Sequence, residues 1–105
     1  MPRNKTSKSA SKKPEVDRLI HEPARLNIMV CLYIVESGDF LYLKRETGLS
    51  WGNLSVQISK LESAGYVKIT KEFVEKRPHT VASLTDKGRR AFEDYCTKMQ
   101  QLVSI

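Results

Sequence analysis

DFLYLKRETGLSWGNLSVQISKLESAG, residues 39–65, is the stretch whose reading decides the fold. Apolar side chains fall at Phe40, Leu41 and Leu43, then at Leu49, and then at Leu54, Ile58 and Leu61, the one-face spacing of a helix with 3.6 residues per turn. Between the two patterns stand Gly48, which suits a helix end, and Ser50, which suits the cap of the next helix. The expectation is two short helices and a tight turn, the outline of a helix-turn-helix whose second helix can enter a DNA major groove. A helical hairpin that only packs a core has the same outline, so the flanking chain carries the decision.

With Leu54, Ile58 and Leu61 turned inward, the second helix (residues 50–64) leaves Ser50, Trp51, Gly52, Asn53, Ser55, Val56, Gln57, Ser59 and Lys60 on or near its outer side. Asn and Gln pair with adenine through two hydrogen bonds, Ser bonds base or phosphate, and Lys reaches phosphate or guanine. A helix that merely faces water carries Glu and Lys at ion-pair spacing, whereas here the first acid after the cap is Glu62. Carboxylates are missing where phosphates would lie.

Downstream, YVKITKEFV (residues 66–74) alternates in part as a strand does, and a second strand is expected over residues 79–84. Glu75, Lys76, Arg77 and Pro78 would then form the basic tip of a hairpin, a wing at about residues 66–84 with Lys76, Arg77 and His79 available to phosphates or a minor groove. An ordinary solvated turn would also suit these residues; position directly after the outer-polar helix favours the wing. Thr85 then caps a long last helix in which Phe92, Tyr95, Met99 and Leu102 recur on one face.

Upstream, Pro23 opens a helix that runs to Glu36. Its segment IMVCLYIV (residues 28–35) is apolar on every side and is expected to be the central buried helix, with a β-strand as the competing reading. Val16, Leu19 and Ile20 form a shorter helical stripe. Together with Phe92, Tyr95, Met99 and Leu102 it is expected to pair with a second copy of the chain, the alternative being that the last helix folds back on its own core.

The 105 residues suit one domain, expected at 15–105, after a disordered basic tail at 1–14. The net charge of +6 belongs mostly to that tail: Arg3, Lys5, Lys8, Lys12 and Lys13 stand there without an acid. Without those five of its 18 basic residues the chain keeps 13 against 12 acidic ones. A basic arm on phosphates and a merely solubilising tail both fit. No apolar run approaches the roughly 20 residues that cross a bilayer, so no membrane partner and a cytoplasmic location are expected. Cys31 and Cys96 form no CxxC, and His21 and His79 are the only histidines. No metal site, cofactor or disulfide is expected, and without a nucleophile motif, carboxylate pair or glycine-rich phosphate loop the chain reads as no enzyme.

The run GNLSVQISKLESAGYV, continued through Phe73-Val74, Arg77-Pro78-His79-Thr80 and LTDKGRRAF, resembles small winged-helix transcriptional regulators related to the MarR and ArsR groups over residues 15–103. The resemblance implies a mainly α chain with a small β-hairpin (α+β), a winged helix-turn-helix that binds double-stranded DNA as a homodimer. It places Asn53, Ser55, Gln57 and Lys60 in the major groove and Lys76, Arg77 and His79 on the wing. Trp51 stands where a small or basic residue is expected. Two further readings stay open, a protein-docking winged helix and a regulator answering to a small-molecule effector or, through Cys31 or Cys96, to an oxidant.

Overall fold

Glu22 and Pro23 start the first helix. The Glu22 side chain accepts from the Arg25 backbone N–H and Pro23 occupies the first turn, giving α1 (Pro23–Val35) in the computed structural model, which describes residues 15–104. The expected basic tail at residues 1–14 lies outside the described residues. Helix α1 ends where Glu36, at φ 69°, turns its N–H back to Leu32 O. Ala24, Ile28, Met29 and Leu32 form its buried side. The expectation that α1 is surrounded needs correcting: Val30 and Val35 are exposed and Ile34 is 73% exposed, so among the described residues nothing covers that strip of the helix.

A three-residue strand that the sequence reading missed follows, β1 (Ser37–Asp39). Asp39 also caps α2 (Phe40–Thr47), accepting from Tyr42 N at 2.7 Å, and Gly48 closes α2 in the left-handed conformation at φ 73°. Ser50 caps α3 (Trp51–Ser63) by accepting from Asn53 N. Strands β2 (Val67–Val74) and β3 (Arg77–Leu84) then form the hairpin, and Thr85 caps α4 (Asp86–Val103). The sheet is antiparallel in the order β1-β3-β2.

The hairpin turn is shorter than expected. Arg77 and Pro78 already pair with Val74 and Phe73, leaving only Glu75 and Lys76 in the turn. Both have positive φ, 52° and 67°, as a two-residue turn matched to strand twist requires. The core draws Ile28, Met29 and Leu32 from α1, Leu43 from α2, Leu54, Ile58 and Leu61 from α3, Val67 and Ala82 from the sheet, and Phe92 and Tyr95 from α4.

Residues 16–20 make a turn instead of the expected helical stripe, because Asp17 Oδ1 accepts from the N–H groups of Leu19 and Ile20. That turn seats Ile20 in the core, while the Tyr66 hydroxyl donates to Asp17 Oδ2. The junction of α3, sheet and α4 is tight. Thr85 Oγ1 donates to Gly65 O and accepts from Gly88 N, and a Cβ on Gly88 would stand 2.1 Å from Tyr66 O. Gly88 is therefore required by the close approach of α4 to this turn.

Candidate nucleic-acid interface

Helix α3 is seated by Leu54, Ile58 and Leu61, all fully buried, which fixes the rotation of its opposite face toward solvent. Gly52, Asn53, Ser55, Val56, Ser59 and Lys60 are exposed there, with no carboxylate before Glu62. Gly52 has open space around it, so nothing among the described residues demands a glycine at that position. Ser50 spends its hydroxyl on the cap. Trp51 is half exposed at the start of the helix, and Lys44 Nζ from α2 lies 5.5 Å from its ring centre, a cation–π distance that holds a positive charge beside the helix N-terminus.

Gln57 has a different environment from the one its outward placement suggested. Its Oε1 accepts from Arg25 Nη1 at 2.7 Å, and its Nε2 donates to Asn53 Oδ1 at 2.9 Å. Arg25, whose side chain is 13% exposed, also donates from Nε to Leu19 O and lies 3.8 Å from Glu22 Oε1. A chain of hydrogen bonds therefore runs from the N-terminal turn through α1 to the middle of α3. It commits the Gln57 amide internally and fixes the Asn53 side chain, leaving Asn53 Nδ2 as the outward donor. Arg25 was missed by the sequence reading, since nothing local to it signals a partner 32 residues away. Val56, 51% exposed in the middle of the outer face, was noted only as a neighbour; it offers methyl groups of the kind that meet thymine.

On the wing, Lys76 and Arg77 are exposed, and among the described residues neither joins an ion pair. His79 lies nearer the body than expected: it is half buried opposite Glu72, with Nδ1 3.8 Å from Asp39 Oδ2 at the base of α2. Phe73, 75% exposed on the same hairpin, had no role assigned from the sequence.

The residues expected at a dimer contact divide into two sets. Ile20, Phe92 and Tyr95 are buried within the chain's own core, and the Tyr95 hydroxyl is 2.7 Å from His21 Nδ1, so these three have little surface to offer a partner. Val16, Leu19 and Met99 are partly buried against the core, while Leu102 and Val103 are exposed at the end of α4. Burial, then charge on Glu46 for Cys31 and on Glu93 for Cys96, pushes both thiols above their ordinary range, away from the thiolate that oxidants attack. Cys96 is nevertheless exposed. Among the described residues no helix is long and apolar enough to cross a membrane.

Comparison with known proteins agrees with this architecture. An uncharacterized protein of Methanocaldococcus jannaschii is 35% identical over 85 residues, covering 81% of this chain and 92% of the relative. The structure of a transcriptional regulator homologue from Pyrococcus horikoshii OT3 superposes with a TM-score of 0.78 at 27% identity, over 94% of each chain. AbfR of Staphylococcus epidermidis shares the fold at a TM-score of 0.68 and 23% identity, over 74% of this chain and 52% of its own. The resemblance read from the sequence to winged-helix transcriptional regulators therefore holds, in a group that is not enzymatic. With the family model for the winged helix DNA-binding domain matching residues 24–103, the chain belongs to that family.

Proposed function

We propose that this protein is a transcriptional regulator that binds operator DNA as a homodimer, with α3 in the major groove and the β2–β3 wing on the flanking backbone or minor groove. The observation that carries the reading is the outer face of α3: polar from Gly52 to Lys60 apart from Val56, free of carboxylates, and held rigidly by three buried side chains and the Arg25–Gln57–Asn53 chain. Asn53, Ser55, Val56 and Ser59 read base edges. Gln57 positions Asn53. Lys60, Lys76 and Arg77 hold phosphates.

A second copy would cover the apolar surface left by the fold, formed by Leu102 and Val103 of α4 and, as a separate strip, by Val30 and Ile34 of α1. A two-fold pair of this kind matches an inverted-repeat site with half-sites about 34 Å apart. Sedimentation velocity checks it, and a protomer mass at micromolar concentration would remove the dimer. The first fourteen residues carry five basic side chains and no acid, which add to the attraction for phosphates.

The test is a fluorescence-anisotropy titration against selected and random duplexes over several salt concentrations. Asn53→Ala costs about 1–3 kcal/mol of discrimination between them. Arg77→Ala weakens binding to both and makes the salt dependence shallower by about one unit of slope, and neutralising the five tail residues flattens it further. Equal losses on both duplexes for Asn53→Ala would remove base reading from α3. No binding to any duplex at low salt would favour the docking-module reading instead.

A further inference from the structure

The wing carries an apolar tip that phosphate contact does not use. Directly opposed residues share a sheet face, so Val67 with Leu84 and Ile69 with Ala82 form the face turned to the core. The same face continues past the body as Lys71 opposite Thr80 and Phe73 opposite Pro78. There Phe73 is 75% exposed and Pro78 is exposed beside it, with half-exposed Val74 next in the strand. Glu72, His79, Val74 and Arg77 lie on the other face, which leaves this one without a carboxylate up to the turn. Lys71 stands on this face, Lys76 in the turn and Arg77 on the opposite face next to Pro78, three cations against the two acids of the same hairpin end, Glu72 and Glu75.

An aromatic ring held out on a two-stranded finger among three cations fits a polyanion with an apolar interior better than it fits a neutral protein surface. Duplex DNA is such a partner. Its minor groove, about 6 Å wide, admits a side chain but not a helix, and Phe and Pro are among the residues that part base steps from that side.

We propose that Phe73, backed across the strands by Pro78, is an apolar wedge that enters the minor groove beside the α3 contact and partly unstacks one base step, kinking the duplex while Lys71, Lys76 and Arg77 hold the phosphates on either side. The inference rests on the DNA-binding reading above. It adds a readout that base-edge contacts do not supply: a pyrimidine–purine step, which unstacks most readily, is favoured where the wing lands.

The experiment is energy transfer between dyes at the two ends of a 30-base-pair duplex taken from selection on a random pool, with the full chain in each case. Wild type shortens the end-to-end distance. Phe73→Ala binds at least tenfold more weakly and leaves the duplex straight, with an unchanged melting temperature because the ring is outside the core. Phe73→Leu keeps the bend, and Arg77→Ala binds more weakly but still bends. Wild-type binding without a bend, or Phe73→Ala binding and bending as wild type does, overturns the wedge and leaves DNA binding intact. Failure of wild type to bind any duplex overturns both.

Discussion

Helix α3 and the wing meet the same expected partner with opposite constructions. The helix turns Leu54, Ile58 and Leu61 wholly into the core and shows solvent mainly small polar groups, with Val56 among them. The wing is buried only at its root, at Val67 and Ala82, and shows solvent Phe73 and Val74. One surface is rigid because its underside is packed; the other holds its shape through a ladder of strand pairs and a two-residue turn. The difference teaches where each can change. Side chains on α3 are coupled to stability through the helix they share with the core, whereas the outer half of the wing can vary its contacts with little effect on folding.

The largest expected effect tests that coupling. Leu54→Ala, which empties a fully buried site under α3, costs about 2–5 kcal/mol in urea unfolding. The matching truncation on the wing, Val74→Ala, stays within about 0.5 kcal/mol. Comparable losses at the two positions would mean that the wing is packed against something within the protomer.

The link between the regions gives a smaller and pH-dependent effect. Tyr66 follows α3 and precedes β2, and its phenol pKa is pushed up to about 12 by burial and by the hydrogen bond to Asp17, whose negative charge adds to the shift. A phenol that is harder to ionise when folded stabilises the fold fully below its unfolded pKa near 10, and that contribution is lost as pH rises toward about 12. Thermal unfolding between pH 9 and 12 should therefore fall steeply for wild type and less steeply for Tyr66→Phe. A slope remains in the variant because Tyr33, Tyr42 and Tyr95 are also shifted upward, by a hydrogen bond to Glu93 in the first case and by burial in the other two. The smallest effect belongs to the turn. Glu75→Asn places a residue that tolerates positive φ at 52°, and raises stability by about 0.5 kcal/mol without touching Lys76 or Arg77.

Most of the site was legible from nearest neighbours along the chain. Ser50 and Thr85 act as caps and Gly48 as the left-handed stop, because capping depends on residues within one turn. The spacing of Leu54, Ile58 and Leu61 was enough to orient the outer face of α3. Strand β1 was not legible: Ser-Gly-Asp has no strand pattern of its own and is drawn into the sheet by Ala82 and its neighbours, more than forty residues later.

By itself, then, the sequence determined the four main helices, the Ser50 and Thr85 caps, the presence of the hairpin and the absence of carboxylates on the first three turns of α3, since each depends on period and on short-range backbone chemistry. Only the tertiary structure decided that Gln57 is engaged by Arg25, that Ile20, Phe92 and Tyr95 belong to the chain's own core, and that Phe73 stands out from the wing. Those outcomes depend on which distant surfaces meet, and burial and hydrogen-bond partners are properties of that meeting.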